Sequence, residues 1–309
     1  MCLLFLDNFE YYSPTTPEEA LALAGRLGGK AKILAGGTDL IIMMKEKLVR
    51  PECLIDINGV KEFRGICHQP GRGVVIGAAT KISEIERSDL IREKYFALYQ
   101  AAGELGSVQV RSMATIGGNS CHASPAAETP PPLIALGAKV ILRSGAGERE
   151  MPLEEFILGN RKTALKEGEI LTAFILPEPP SGSASRYMYI GLREAMEIDT
   201  VNMAVNMVLE DDGRTVKDLR IVTGSVAPAP LAAVRAAAVL TGRELTEDLV
   251  EKAAETASGE AKPISDIRAS AEYRRQVVAV LARRLLRETY AAASASILGK
   301  GGAVGETTD

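Results

Sequence analysis

Ile33-Leu34-Ala35-Gly36-Gly37-Thr38-Asp39-Leu40 is the stretch on which the reading of this chain turns. Its counterpart, Ala114-Thr115-Ile116-Gly117-Gly118-Asn119, lies about eighty residues further on. Each joins an apolar run to a polar turn whose backbone N–H groups can be left pointing outward. Glycine has no Cβ to obstruct approach, so such turns can bring backbone against phosphate oxygens. One Gly-Gly-polar sequence is ordinarily a tight turn or a helix C-cap. Two of them suggest one large diphosphate ligand clamped from two sides. The second is followed by Ala123-Ser124-Pro125-Ala126-Ala127-Glu128 and Pro130-Pro131-Pro132, which add polar side chains and stiff backbone.

Around the first stretch the pattern is βαβα. The apolar start Met1-Cys2-Leu3-Leu4-Phe5-Leu6 reads as a first strand, too short and without the basic flank of a signal peptide or membrane span. Thr16 is a good N-cap, Pro17 suits the first helical position, and Glu19 has capping-box spacing. Ala20, Leu21, Leu23, Ala24 and Leu27 form one face, and Gly28-Gly29 stop the helix. A strand then enters the first glycine turn, and Leu40 to Leu48 is expected as a helix. G-x-G-x-x-G is absent, so a Rossmann dinucleotide site is not indicated. We divide the chain into 1–58, 59–180, 181–295 and a flexible tail, 296–309. The run Pro177-Glu178-Pro179-Pro180 marks the second boundary. Beyond it, three strands precede three helical stretches at roughly 230–241, 246–258 and 269–292, an α+β order.

Composition bounds the function. The chain has 309 residues, 46% hydrophobic, and a net charge of −4, which gives no electrostatic case for nucleic acid or an anionic membrane. Its four cysteines show no C-x-x-C spacing, so reduced thiols and a cytoplasmic setting are expected. No iron–sulfur motif is present, which places any such cluster on a partner. Cys121-His122 is too sparse for a metal site. There is no G-x-S-x-G or HExxH, so a hydrolase has no positive support.

The two glycine stretches resemble the FAD signatures of the medium subunit of molybdenum hydroxylases, the family of xanthine dehydrogenase and aerobic carbon monoxide dehydrogenase. Thr16 to Ala20, Ile76-Gly77-Ala78-Ala79-Thr80 and Asp266 to Arg274 resemble the same family in the same order. The resemblance implies a two-subdomain FAD-binding fold of the PCMH type, like vanillyl-alcohol oxidase. It also implies a C-terminal α+β domain with a three-stranded antiparallel sheet and helices.

By the same resemblance, Ile33, Leu34, Ala35, Gly36, Gly37, Thr38, Asp39 and Leu40 wrap the pyrophosphate. Thr115, Ile116, Gly117, Gly118 and Asn119 hold it from the second subdomain, with the Thr115 hydroxyl and Asn119 amide as donors. Glu128 stands where relatives have an aspartate on the sugar-alcohol chain. Leu105 and Leu171 are apolar contacts of the rings, and Tyr189 takes the place of a flavin-side lysine. The implied partners are a molybdopterin-containing large subunit and a [2Fe–2S] small subunit, with NAD or quinone as acceptor. Two other readings stay open at this point: a self-sufficient flavin oxidoreductase of similar fold, and a non-redox nucleotide-binding scaffold subunit.

Overall fold

The computed structural model describes residues 5–193 and 195–301. The first unit is built on a three-stranded parallel sheet. Cys53–Asp56 lies at its centre, between Glu10–Tyr12 and Ala31–Leu34. Among the described residues the first strand is Glu10–Tyr12. Residues 1–4 lie outside the described residues, and Phe5 is exposed and outside any strand. The helix Pro17–Leu27 begins at Thr16, whose Oγ accepts the Glu19 N–H at 3.3 Å. Glu19 reaches back to the Thr15 N–H at 2.9 Å, one residue beyond a regular capping box. Ala20, Leu21 and Ala24 bury the apolar face against Ile55 and Ile57.

The second unit carries a five-stranded antiparallel sheet in the order Ile66–Gln69, Gly73–Gly77, Ile170–Leu176, Lys139–Ser144, Gly147–Pro152. The helical stretch expected up to Leu105 is three short helices, Ile82–Glu86, Asp89–Lys94 and Phe96–Glu104. Tyr95, fully buried between two of them, donates its hydroxyl to the Pro177 carbonyl at 3.1 Å. Ile76, Leu98, Ile116, Phe156 and Phe174 belong to the same core.

The third unit has the expected antiparallel strands, Ser183–Ile190, Val201–Leu209 and Val216–Gly224. A two-residue strand, Leu231–Ala232, adds a fourth. Val201, Met203, Val205 and Met207 face a core shared with helices Val234–Leu240, Glu247–Glu260 and Ala271–Gly301. Tyr187, Ala204 and Val222 instead join the core of the second unit. A sheet covered on both faces explains why Val201 to Leu209 is almost continuously apolar. The last helix runs on to Gly301, past the start of the expected flexible tail. Ile297 packs on the core, and the Ser294 hydroxyl donates to the Gly213 carbonyl at 2.7 Å. Residues 302–309 of that tail lie outside the described residues.

One polar anchor ties the loop before the last helix to the sheet. Arg274 is only 3% exposed. Its guanidinium donates to the Thr200 carbonyl, to the Ser225 carbonyl at 3.3 Å and to Asp266 Oδ1 at 2.8 Å. Burial pushes the Asp266 carboxyl upward. The Arg268 N–H, the Arg274 guanidinium and the Ala269 N–H override it and hold the carboxyl at about 2. A pKa below the unfolded value of 3.8 stabilises the fold fully above that value, and the contribution is lost as pH falls through about 2. Urea titrations should therefore show wild type more stable than Asp266→Asn at pH 7, with the gap closing between about pH 4 and about pH 2. Arg274→Met strands three acceptors and should destabilise the chain by about 3 kcal/mol in the same assay.

Candidate cofactor-binding site

The strand Ala31–Leu34 ends in the turn 35–39, and a short helix, Leu40–Lys45, follows. Among the described residues no acceptor meets the backbone N–H of Gly36, Gly37, Thr38, Asp39 or Leu40. Five consecutive unpaired donors form a concave anion site of the kind successive backbone amides make. Its shape depends on two glycines. Gly37 takes a φ of +72°, which favours glycine. A Cβ on Gly36 would sit 2.2 Å from the Met113 carbonyl oxygen and 2.8 Å from the Ala114 Cα. The first glycine turn thus lies directly on the backbone leading into the second.

That second turn behaves differently from the sequence expectation. Its backbone donors are used internally. Ile116 N–H reaches the Thr80 carbonyl at 3.1 Å, Gly117 N–H the Ala78 carbonyl at 2.9 Å and Asn119 N–H the Thr115 carbonyl at 3.0 Å. Gly118 N–H donates to Thr115 Oγ at 3.1 Å, so this hydroxyl is first a helix cap for Ile116–His122. A Cβ on Gly117 would meet the Ala78 oxygen at 2.6 Å and the Ala78 Cβ at 2.7 Å. The second stretch is a close-packed wall, and the ligand-facing groups it retains are side chains. Asn119 Oδ1 accepts from the Thr129 hydroxyl at 2.6 Å, while its amide side serves Glu128.

Between the two turns runs a cleft of about 1270 Å³. Ordinary small-molecule sites hold ~300–1,000 Å³, so a dinucleotide has room. Ile33, Ala35, Gly36, Gly37, Thr38, Asp39, Leu40, Leu105, Thr115, Gly117, Gly118, Asn119, Glu128 and Leu171 all line it. Three expected residues do not. Leu34 alternates away along its strand, and its Cδ1 packs beneath Gly37. Ile116 is wholly buried in the core. Tyr189 lines a neighbouring hollow with Gly103 and Glu104. The Leu105 carbonyl is held at 3.2 Å by Arg111, whose guanidinium also grips Glu86 at 2.8 and 3.0 Å.

The wall also carries groups that the sequence did not assign to the ligand. His122 Nε2 faces Asp39 Oδ1 at 3.8 Å and links the two stretches across the cleft. Cys121 lines it too, its thiol pushed up to about 12 by burial. Burial, reinforced by the Asp199 carboxylate, raises Glu128 to about 8 against hydrogen bonds from its backbone and Asn119. Burial likewise lifts Asp199 to about 6, although the Asn202 amide at 2.9 Å and the Tyr187 hydroxyl at 3.1 Å both donate to it. Asn119, Glu128 and the five-donor row suit a ligand with a diphosphate and hydroxyls. The flavin dinucleotide implied by the sequence fits them.

Two outcomes follow from this geometry. Gly36→Ala and Gly117→Ala should each strip flavin from the purified chain, because backbone must move. Gly37→Ala meets only the Leu34 and Ile41 side chains, at 3.1 and 3.2 Å, and should be milder. Its left-handed backbone costs about 1–2 kcal/mol, and flavin-to-protein absorbance ratios rank the three. A carboxyl that keeps its proton in the fold loses stability as pH rises from its unfolded 4.5 to about 8. Glu128→Gln should therefore match wild type near pH 4 and exceed it at pH 9 in urea melts of the flavin-free chain.

Known proteins resemble this chain over most of its length. Residues 7–179 match the FAD binding domain in molybdopterin dehydrogenase, and residues 186–289 match the CO dehydrogenase flavoprotein C-terminal domain. The carbon monoxide dehydrogenase medium chain of Hydrogenophaga pseudoflava is 35% identical, over 92% of this chain and 98% of its own length. A putative xanthine dehydrogenase FAD-binding subunit of Escherichia coli is 30% identical, over 94% of this chain and 99% of its own. A chain in the solved carbon monoxide dehydrogenase of H. pseudoflava superposes with a TM-score of 0.89, covering 93% of this chain and 99% of that one. Both domain matches, in order, and similarity over nearly the full length of these relatives show that the chain belongs to the FAD-binding medium subunits of the molybdenum hydroxylases.

Proposed function

We propose that this chain is the electron-transfer component of a molybdenum hydroxylase complex. A molybdopterin-containing large subunit would oxidise the substrate, and a [2Fe–2S] small subunit would relay electrons to the FAD of this chain. An acceptor such as NAD or a quinone would then take them, in a cytoplasmic setting. The row of five free N–H donors beside a dinucleotide-sized cleft carries the reading. The relatives support the component role, because they are named as a medium chain and an FAD-binding subunit of dehydrogenases. The sequence offers no cysteine cluster motif of its own.

When bound, FAD supplies the capacity to exchange electrons and hydride, and the protein binds, orients and tunes it. Gly36 to Leu40 bind anionic oxygens through backbone N–H, Asn119 and Glu128 serve polar hydroxyls, and Leu105 and Leu171 exclude water.

The flavin-loaded chain alone should accept electrons from NADH or dyes, yet oxidise no purine, aldehyde or carbon monoxide. Adding the two partner subunits should make flavin bleaching dependent on the complex's substrate. Substrate oxidation by the isolated chain would return the self-sufficient oxidoreductase to first place. Calorimetry should also give at least about tenfold tighter binding of FAD than of FMN, since FMN has no diphosphate to fill the donor row.

A further inference from the structure

A small hairpin, Ile157–Gly159 paired with Lys162–Thr163, borders the cleft and brings Leu158, Arg161 and Lys162 to its lining. Nothing in the glycine stretches points to it. Its turn is fixed in an unusual way. Arg161 adopts a φ of +57°, a region ordinarily left to glycine or asparagine. Its N–H is bonded at 3.0 Å to the carbonyl of Ala123, the left-handed residue capping the helix Ile116–His122. The preceding residue, His122, faces Asp39 in the donor row. The hairpin tip is thus tied through two contacts to the cleft's anion-binding turn.

Charge makes the second, independent case. Most acidic side chains lining the cleft are already engaged. Asp39 faces His122, Glu167 accepts the Gly29 N–H at 3.0 Å, Arg149 holds Glu169 at 2.7 Å and Arg193 holds Glu197 at 2.9 Å. Among the described residues, no carboxylate lies within ion-pair distance of Arg161 or Lys162. These two cations, like Lys32 and Lys166 elsewhere on the lining, have no ion-pair partner among the described residues, and they border a cleft whose wall includes five unpaired N–H donors. Those donors supply only partial charges, while a diphosphate brings full negative charges, and charge-assisted bonds are the stronger kind.

We propose that the hairpin Ile157–Thr163 is a basic clasp over the diphosphate of the bound dinucleotide, with Arg161 and Lys162 as its phosphate-binding side chains. The clasp rests on FAD being the cofactor and adds to that reading a grip from outside both glycine stretches. Arginine suits the forked approach to phosphate, and the adjacent lysine adds a point charge.

The test uses the full chain, stripped of flavin and retitrated, with ADP and adenosine as competitors against FAD. Arg161→Asn keeps a residue that tolerates the left-handed backbone, and Lys162→Gln lies on an exposed strand. In wild type, ADP should displace FAD much better than adenosine does, because it shares the diphosphate. In the double variant the FAD dissociation constant should rise about tenfold, and its increase with added salt should become shallower. ADP's advantage over adenosine should shrink by a similar factor. A dissociation constant unchanged within about twofold overturns the clasp, as does an equal loss for ADP and adenosine, which would mark a shaping role only. Unchanged FAD affinity with a raised KM for NADH would assign the cations to an incoming nicotinamide dinucleotide, and also overturns it. Should the double variant melt early, Lys162→Gln alone carries the same comparison. Failure of the unaltered chain to bind FAD would be a separate result, against the cofactor reading itself.

Discussion

The closeness of two backbones sets this structure. Gly36 rests on the Met113–Ala114 peptide at a separation no side chain could share, and Gly117 rests in the same way on Ala78. The Gly36 contact brings the parallel sheet of the first unit against the antiparallel unit that follows it, and the Gly117 contact packs the wall of that second unit. Together they set the 35–39 turn and the second glycine stretch on the lining of one cleft. Had Gly36 carried a Cβ, the two units would stand further apart, and a Cβ on Gly117 would push the facing wall off Ala78. The cleft is the space left over when two chain segments pack as tightly as backbone allows.

Much of this was legible in the sequence because glycine is informative where approach is close. The strand–turn–helix around Gly36 and the Thr16 cap both follow from local chemistry. The roles of the two stretches were not separable from sequence. Gly-Gly-Thr and Gly-Gly-Asn look alike, yet the first leaves its amides free while the second spends them on Thr80, Ala78 and its own cap. That distinction depends on which neighbour arrives, a tertiary fact. The same limit hid Arg161 and Lys162, which reach the cleft only because a hairpin folds back onto Ala123. Tyr189 shows the converse. Assigned by likeness to the flavin's surroundings, it lines the neighbouring hollow together with Gly103 and Glu104.

The cleft mixes two electrostatic regimes. At the first turn, amides and basic side chains favour anions. Toward the third unit, Glu128 and Asp199 lie in surroundings that hold their carboxyls well above the usual range, with Tyr187 and Asn202 donating to the deeper one. A ligand spanning the cleft therefore meets an anion-binding end and an end where the Glu128 carboxyl keeps its proton near neutral pH. Such a gradient orients an asymmetric molecule whose phosphates and hydroxyls are at different distances from its rings.

The strand Val201–Leu209 gives one core Val201, Met203, Val205 and Met207, and gives the other Ala204. Its register is locked from both sides, since a one-residue slip would exchange the side chains of two interiors at once. For descent, this means that the third unit is no cassette. A gene fusion or loss that parted it from the second unit would lay bare the face carrying Tyr187, Ala204 and Val222. A substitution in that strand is therefore judged by both neighbours.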